Sequence, residues 1–172
     1  MRYSCRMTDT TDPILVLTTG GTIDKLYFDA LSEYQVGEPI IARLLAIARV
    51  TQPFEIESLL RKDSLELTDA DRALIRARVA AAAPSRIVIT HGTDTMTATA
   101  QALADVPGKT IVLVGALAPA RFAESDASFN LGMAFATAQV APPGIYITMN
   151  GTVFRAGDVV KDRARGAFMR KG

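Results

Sequence analysis

Cysteine, histidine and tryptophan are almost missing from this chain, which has one Cys, one His and no Trp in 172 residues. Cys5 has no second cysteine to pair with, and neither it nor His91 has the neighbours that a metal site needs, so no disulfide, metal or cofactor is expected. An excess of charge is missing too: 19 Lys and Arg face 18 Asp and Glu, a net charge of +1 that gives no electrostatic footprint for nucleic acid or an anionic membrane. Long apolar runs are absent, and residues 1–6 lead into polar positions rather than a signal-peptide core. Together these absences point to a small-molecule partner in a reducing, cytoplasmic setting. Residues 1–12 read as a leader, within which Met7 offers a second translation start.

What is present is a 49% hydrophobic content arranged in alternating patterns. Residues 14–18, 54–59, 86–90, 110–115 and 145–149 are short and rich in Val, Ile and Leu, as strands covered on both faces are. Between them, residues 39–50, 69–83, 95–104 and 125–139 carry helical spacing, with Thr68 placed to cap the second helix and Pro84 to end it. This alternation predicts a three-layer α/β fold, flavodoxin/Rossmann-like, with a mostly parallel sheet and helices on both faces. A single domain over residues 13–172 is expected. Residues 24–38 read as one long irregular loop folded over a site, and Asn150-Gly151 as a hairpin turn leading to a solvated basic tail.

Two strand ends resemble each other. Thr18-Thr19-Gly20-Gly21-Thr22 follows an apolar run, and so does His91-Gly92-Thr93-Asp94-Thr95. In open parallel sheets ligands bind beyond the carboxyl ends of strands, so two hydroxyl-bearing turns there imply one shared pocket. Each is weak alone. Gly20-Gly21 fits an ordinary tight turn as well as a cradle that lets backbone amides approach a ligand. Thr93 and Asp94 fit a helix cap as well as a polarising pair. His91 reads as a structural, hydrogen-bonded residue rather than a general base, because no Gly-x-Ser-x-Gly elbow accompanies it. Lys161 follows Val159-Val160 and by pattern alone is a solvated lysine; Asp63-Ser64 is a turn or a third hydroxyl at a strand end.

In order and spacing, Thr19-Gly20-Gly21-Thr22-Ile23, Asp63-Ser64, His91-Gly92-Thr93-Asp94-Thr95-Met96 and Gly157-Asp158-Val159-Val160-Lys161 together resemble the bacterial L-asparaginase family, the glutaminase-asparaginase group. Val114-Gly115-Ala116, Asp126 and Phe129-Asn130-Leu131 extend the resemblance across residues 13–161. The resemblance implies the fold of the asparaginase N-terminal domain and hydrolysis of L-asparagine to L-aspartate and ammonia through a threonine acyl-enzyme. By the same resemblance Thr22 is the nucleophile, Thr93, Asp94 and Lys161 form the proton-handling group, and Tyr27, with Tyr34 as the alternative, is the loop tyrosine. Gly21, Ser64, Thr93 and Asp94 are the substrate-binding set. It also implies a homo-oligomer, dimer or tetramer.

Three departures accompany it. A short chain of this kind is expected to lack the family's second, C-terminal domain, and with it an acidic residue from a neighbouring subunit. Leu65 stands where a glutamine often follows the serine. Weaker substrate binding is therefore expected. Two other readings stand beside the asparaginase: a glutaminase or ammonia-supplying amidase subunit, and a non-catalytic module that binds a small molecule.

Overall fold

The computed structural model describes residues 12–28, 33–37 and 39–172, except the side chains of residues 27, 28, 33 and 34. Of the expected leader only Asp12 lies among them. Its Oδ2 accepts a hydrogen bond from Ser85 Oγ at 2.8 Å.

The framework is a six-stranded sheet built from β1 (Ile14–Thr18), β4 (Phe54–Ser58), β5 (Arg86–Thr90), β6 (Thr110–Val114), β7 (Gly144–Met149) and β8 (Thr152–Arg155). Its spatial order is β4-β1-β5-β6-β7-β8; every pair is parallel except β7 with β8. The mostly parallel sheet is the one the alternation predicted; taken in chain order, its five parallel strands run 2-1-3-4-5, a flavodoxin-like arrangement. That order reverses direction between β1 and β5, and there the two threonine-bearing turns emerge.

Period-two alternation divides the strand residues between two cores. Ile14, Val16, Val88 and Val112 pack against α1 (Ile41–Ile47) and α4 (Ala127–Val140). Leu15, Leu17, Ile87, Ile89, Ile111 and Leu113 pack on the other face against α2 (Asp69–Ala81) and α3 (Met96–Ala102). A fully buried Leu or Ile contributes about 1.5–3 kcal/mol, so both helix layers are held mainly by these aliphatic contacts. Thr68 caps α2 as expected, accepting from Asp71 N while Asp71 Oδ2 accepts from Thr68 N at 2.8 Å. No helix among the described residues is long and apolar enough to cross a membrane.

Three expectations change. Residues 24–38 are not wholly irregular: β2 (Lys25–Phe28) and β3 (Glu33–Val36) pair antiparallel within them. β4 is an edge strand with Glu55 and Ile56 less covered than the central strands, since among the described residues only β1 pairs with it. The C-terminal basic stretch forms a second hairpin, β9 (Val159–Asp162) with β10 (Ala167–Arg170). Val159 and Phe168 bury themselves in the α2–α3 core, and that contact lays the hairpin against the sheet.

Candidate active site

Glycines bring the strand ends into contact. A Cβ on Gly21 would lie 2.4 Å from Gly92 N, so the turn after β1 rests directly on the turn after β5, one residue before Thr22 and Thr93 respectively. A Cβ on Gly92 would fall 2.6 Å from Ser64 Oγ, which adds the turn after β4 to the cluster. Gly20 and Gly21 both have positive φ, 95° and 94°, a region that costs an L side chain energy. Thr19 Oγ1 donates to Thr90 O at 2.8 Å, and Thr95 Oγ1 donates to Ser64 O at 2.7 Å.

Thr22 opens a 3-10 turn over Thr22–Asp24 and is half-buried. Asp63 opens a second such turn, Ser64–Glu66, through a capping box: its carboxylate accepts from Leu65 N and its own N–H donates to Glu66. Ser64 is 1% exposed, and its Oγ has no partner among the described residues. Neither Thr93 nor Asp94 is a helix cap, because α3 begins at Met96 with Thr95 before it.

Lys161 departs most from its solvated expectation. Its Nζ donates to Thr93 Oγ1 at 2.8 Å and to Asp94 Oδ1 at 2.9 Å, and its side chain is 17% exposed. Arg163 Nη2 lies 3.7 Å from the same Asp94 oxygen. The cation reaches these groups because β9 is held against α3 by its buried Val159 and by the paired β10.

His91 stands apart from this chemistry, as its sequence setting suggested. It is fully buried, with Nδ1 2.7 Å from Gly92 O and Nε2 2.7 Å from Thr99 Oγ1. A carbonyl only accepts, so Nδ1 carries the proton and Nε2 accepts from the threonine. Burial pushes the imidazole down to about 4, which leaves it neutral at physiological pH. Asp126 accepts from the N–H groups of Leu117 and Ala118 and from Asn130 Nδ2, a structural clasp at the start of α4.

The backbones of Tyr27 and Tyr34 pair opposite each other across the β2–β3 hairpin, but both side chains lie outside the described residues. Lys25, on the same hairpin, reaches Asp63 Oδ2 at 2.6 Å. Asp24 carried no signal in the sequence beyond opening the 24–38 segment. It is 1% exposed, accepts from Ile40 N at 2.9 Å through Oδ1, and leaves Oδ2 buried without a partner among the described residues. The same residues contain no group of three or more His, Cys, Asp and Glu able to hold a metal ion.

The family described as Asparaginase, N-terminal matches residues 13–169. The chain belongs to the asparaginase family. L-asparaginase 2 of Escherichia coli is 34% identical to it over 164 residues, covering 86% of this chain and 46% of that protein. A glutamyl-tRNA(Gln) amidotransferase subunit of Pyrobaculum aerophilum is 35% identical over 161 residues, covering 89% of this chain and 35% of that one. A solved structure, the thermostable L-asparaginase from Thermococcus kodakarensis, superposes with a TM-score of 0.82 at 32% identity and covers 92% of this chain and 51% of its own. The chain spans about half the length of the curated L-asparaginases and glutaminase-asparaginases that it matches.

Proposed function

We propose that the chain hydrolyses the side-chain amide of L-asparagine through a threonine ester. The observation that carries this reading is the Lys161 ammonium shared between Thr93 Oγ1 and Asp94 Oδ1, beside the Gly21–Gly92 contact. In this reading the Thr22 hydroxyl attacks the amide carbon while the Tyr27 hydroxyl takes its proton and relays one to the departing amide nitrogen. Backbone amides beside Gly21 and Thr93 receive the developing oxyanion, each donor worth about 3 kcal/mol. The C–N bond breaks, ammonia leaves with the transferred proton, and water then cleaves the Thr22 ester to release aspartate. Ser64 Oγ takes the α-carboxylate. Asp94 takes the α-ammonium through Oδ2, since Lys161 and Arg163 both approach Oδ1. Tyr27 is assigned to activate Thr22.

Ammonia release from asparagine by wild type, Thr22→Ala and Lys161→Met tests this. Thr22→Ala is expected to fall to background. Lys161→Met is expected to lose about 10²–10⁴-fold in kcat, the usual range for a proton-transfer group. Both should keep wild-type circular dichroism, and wild-type turnover in either variant overturns its assigned role.

The similarity to amidotransferase subunits supports a second reading, a glutaminase or an amidase that supplies ammonia to a partner enzyme. One methylene separates asparagine from glutamine and is worth only about 1–3 kcal/mol in discrimination. Side-by-side turnover of both amides decides the substrate, and copurification with a partner enzyme decides the context.

A further inference from the structure

We infer that Asp24 is a positioning residue that pins the Thr22 turn and the β2–β3 hairpin to the head of α1; the role in turnover rests on the assignment of Thr22 as nucleophile. Three kinds of contact converge on this residue. Its N–H donates to Gly21 O at 3.1 Å, closing the 3-10 turn that begins at Thr22. Its carbonyl accepts from Gly37 N at 3.0 Å, closing the far end of the hairpin, which therefore leaves and returns at one residue. Its carboxylate accepts from Ile40 N at 2.9 Å, immediately before α1. Asp24 thus ties the turn, the hairpin and the helix head together.

The rest of the turn is already fixed. Gly21 abuts Gly92, while Ile23 is fully buried and its carbonyl accepts from Ala120 N at 3.1 Å. Thr22 stands between these anchors, so its Cα position depends on the residue that ends the turn. A carboxylate does what a shorter or apolar side chain cannot: it bridges from the turn to a helix-head amide that is otherwise without an intrahelical partner.

Burying a carboxylate for a purely structural bond is costly, and here burial raises Asp24 from 3.8 to about 6. The Ile40 amide at the head of α1 opposes that rise, as do Arg121, from the segment between β6 and α4, and Arg61, from the segment after β4. The adjacent Lys25 is engaged with Asp63. Above about pH 6 the bond from Ile40 is therefore charge-assisted; below it, the acceptor is a neutral acid and the bond weakens. Protonation therefore exchanges a charge-assisted bond for a neutral one as the pH falls through that value, while the fold as a whole is stabilised because burial favours the neutral acid.

The experiment compares wild type, Asp24→Asn and Asp24→Ala in two readouts: the pH profile of kcat/KM for asparagine, and hydrogen exchange at the Gly37 and Ile40 amides. Wild type is expected to show an acid limb near pH 6 that is absent from Asp24→Asn, an isosteric side chain that still accepts from Ile40 but does not titrate. Asp24→Ala is expected to lose about 10²-fold in kcat/KM, the scale of an ångström-sized misplacement, and to exchange both amides faster while Val112 in the core is unchanged. An unchanged limb in Asp24→Asn, or unchanged exchange in Asp24→Ala, overturns the assignment. If Asp24→Ala does not fold, the Asp24→Asn profile decides it. Full turnover by Thr22→Ala overturns the nucleophile instead, and the exchange readout still decides whether Asp24 pins the hairpin.

Discussion

A methyl group on Gly92 would lie 2.6 Å from both Cβ and Oγ of Ser64, inside any tolerable contact, and φ at this position is not the obstacle. Space is the obstacle. Gly92→Ala is therefore expected to push the Ser64 turn away from the β5 turn and lower kcat/KM for asparagine by about 10²-fold, mainly through KM. Steady-state kinetics checks this, and a wild-type KM would show that Ser64 does not hold substrate. Glycine, threonine and serine at the strand ends were legible in the sequence because their role there is local. Asp24 was not. Two of its three bonds come from Gly37 and Ile40, beyond the whole β2–β3 hairpin, and no spacing rule places an acid in that setting.

Elements place the lysine. In the register of β9 with β10, Phe168 is the direct partner of Lys161, and its ring is buried in the α2–α3 core. Phe168 N also donates to Asn150 Oδ1 at 2.8 Å, tying β10 to the turn after β7. Phe168→Ala is expected to free this hairpin locally, removing about 3–5 kcal/mol of burial and with it the hold on Lys161. Activity assays beside thermal melts check this: kcat should approach that of Lys161→Met while the main transition survives, and wild-type kcat would show that the hairpin needs no such anchor. The tail was expected to be solvated because a run of Lys and Arg dominates its composition. Phe168 reverses that expectation together with Val159, and one aromatic residue in a polar stretch is a weak signal until its pocket exists. The buried parallel strands β1, β5 and β6 were read directly, since strands covered on both faces need continuous aliphatic runs.

At the scale of the whole molecule, Asp24 and His91 are buried groups whose protonation acts on stability in opposite directions. Asp24 holds its proton more tightly folded than unfolded, so the stability it lends is complete below its ordinary 3.8 and is lost as the pH rises through about 6. His91, depressed from 6.5 to about 4, lends stability that is complete above 6.5 and is lost as the pH falls through about 4. Between these values the two slopes oppose each other and the wild type gains little net pH dependence from the pair. Asp24→Asn removes one slope, so its stability relative to wild type is expected to rise between about pH 4 and pH 6 by about 2–3 kcal/mol. Chemical denaturation across that range measures the difference, and a constant difference would show that Asp24 does not titrate there.

By itself the sequence determined which residues form the strands, where those strands end, and that hydroxyls and glycines cluster at the ends, because periodicity and turn chemistry act over a few residues. Tertiary structure alone decided that the ends of β1, β4 and β5 touch, and that Lys161 meets Thr93 across 68 positions of chain. Sheet order and the seating of the C-terminal hairpin set that meeting, and both arise from burial of aliphatic surface between distant segments, which no local pattern records.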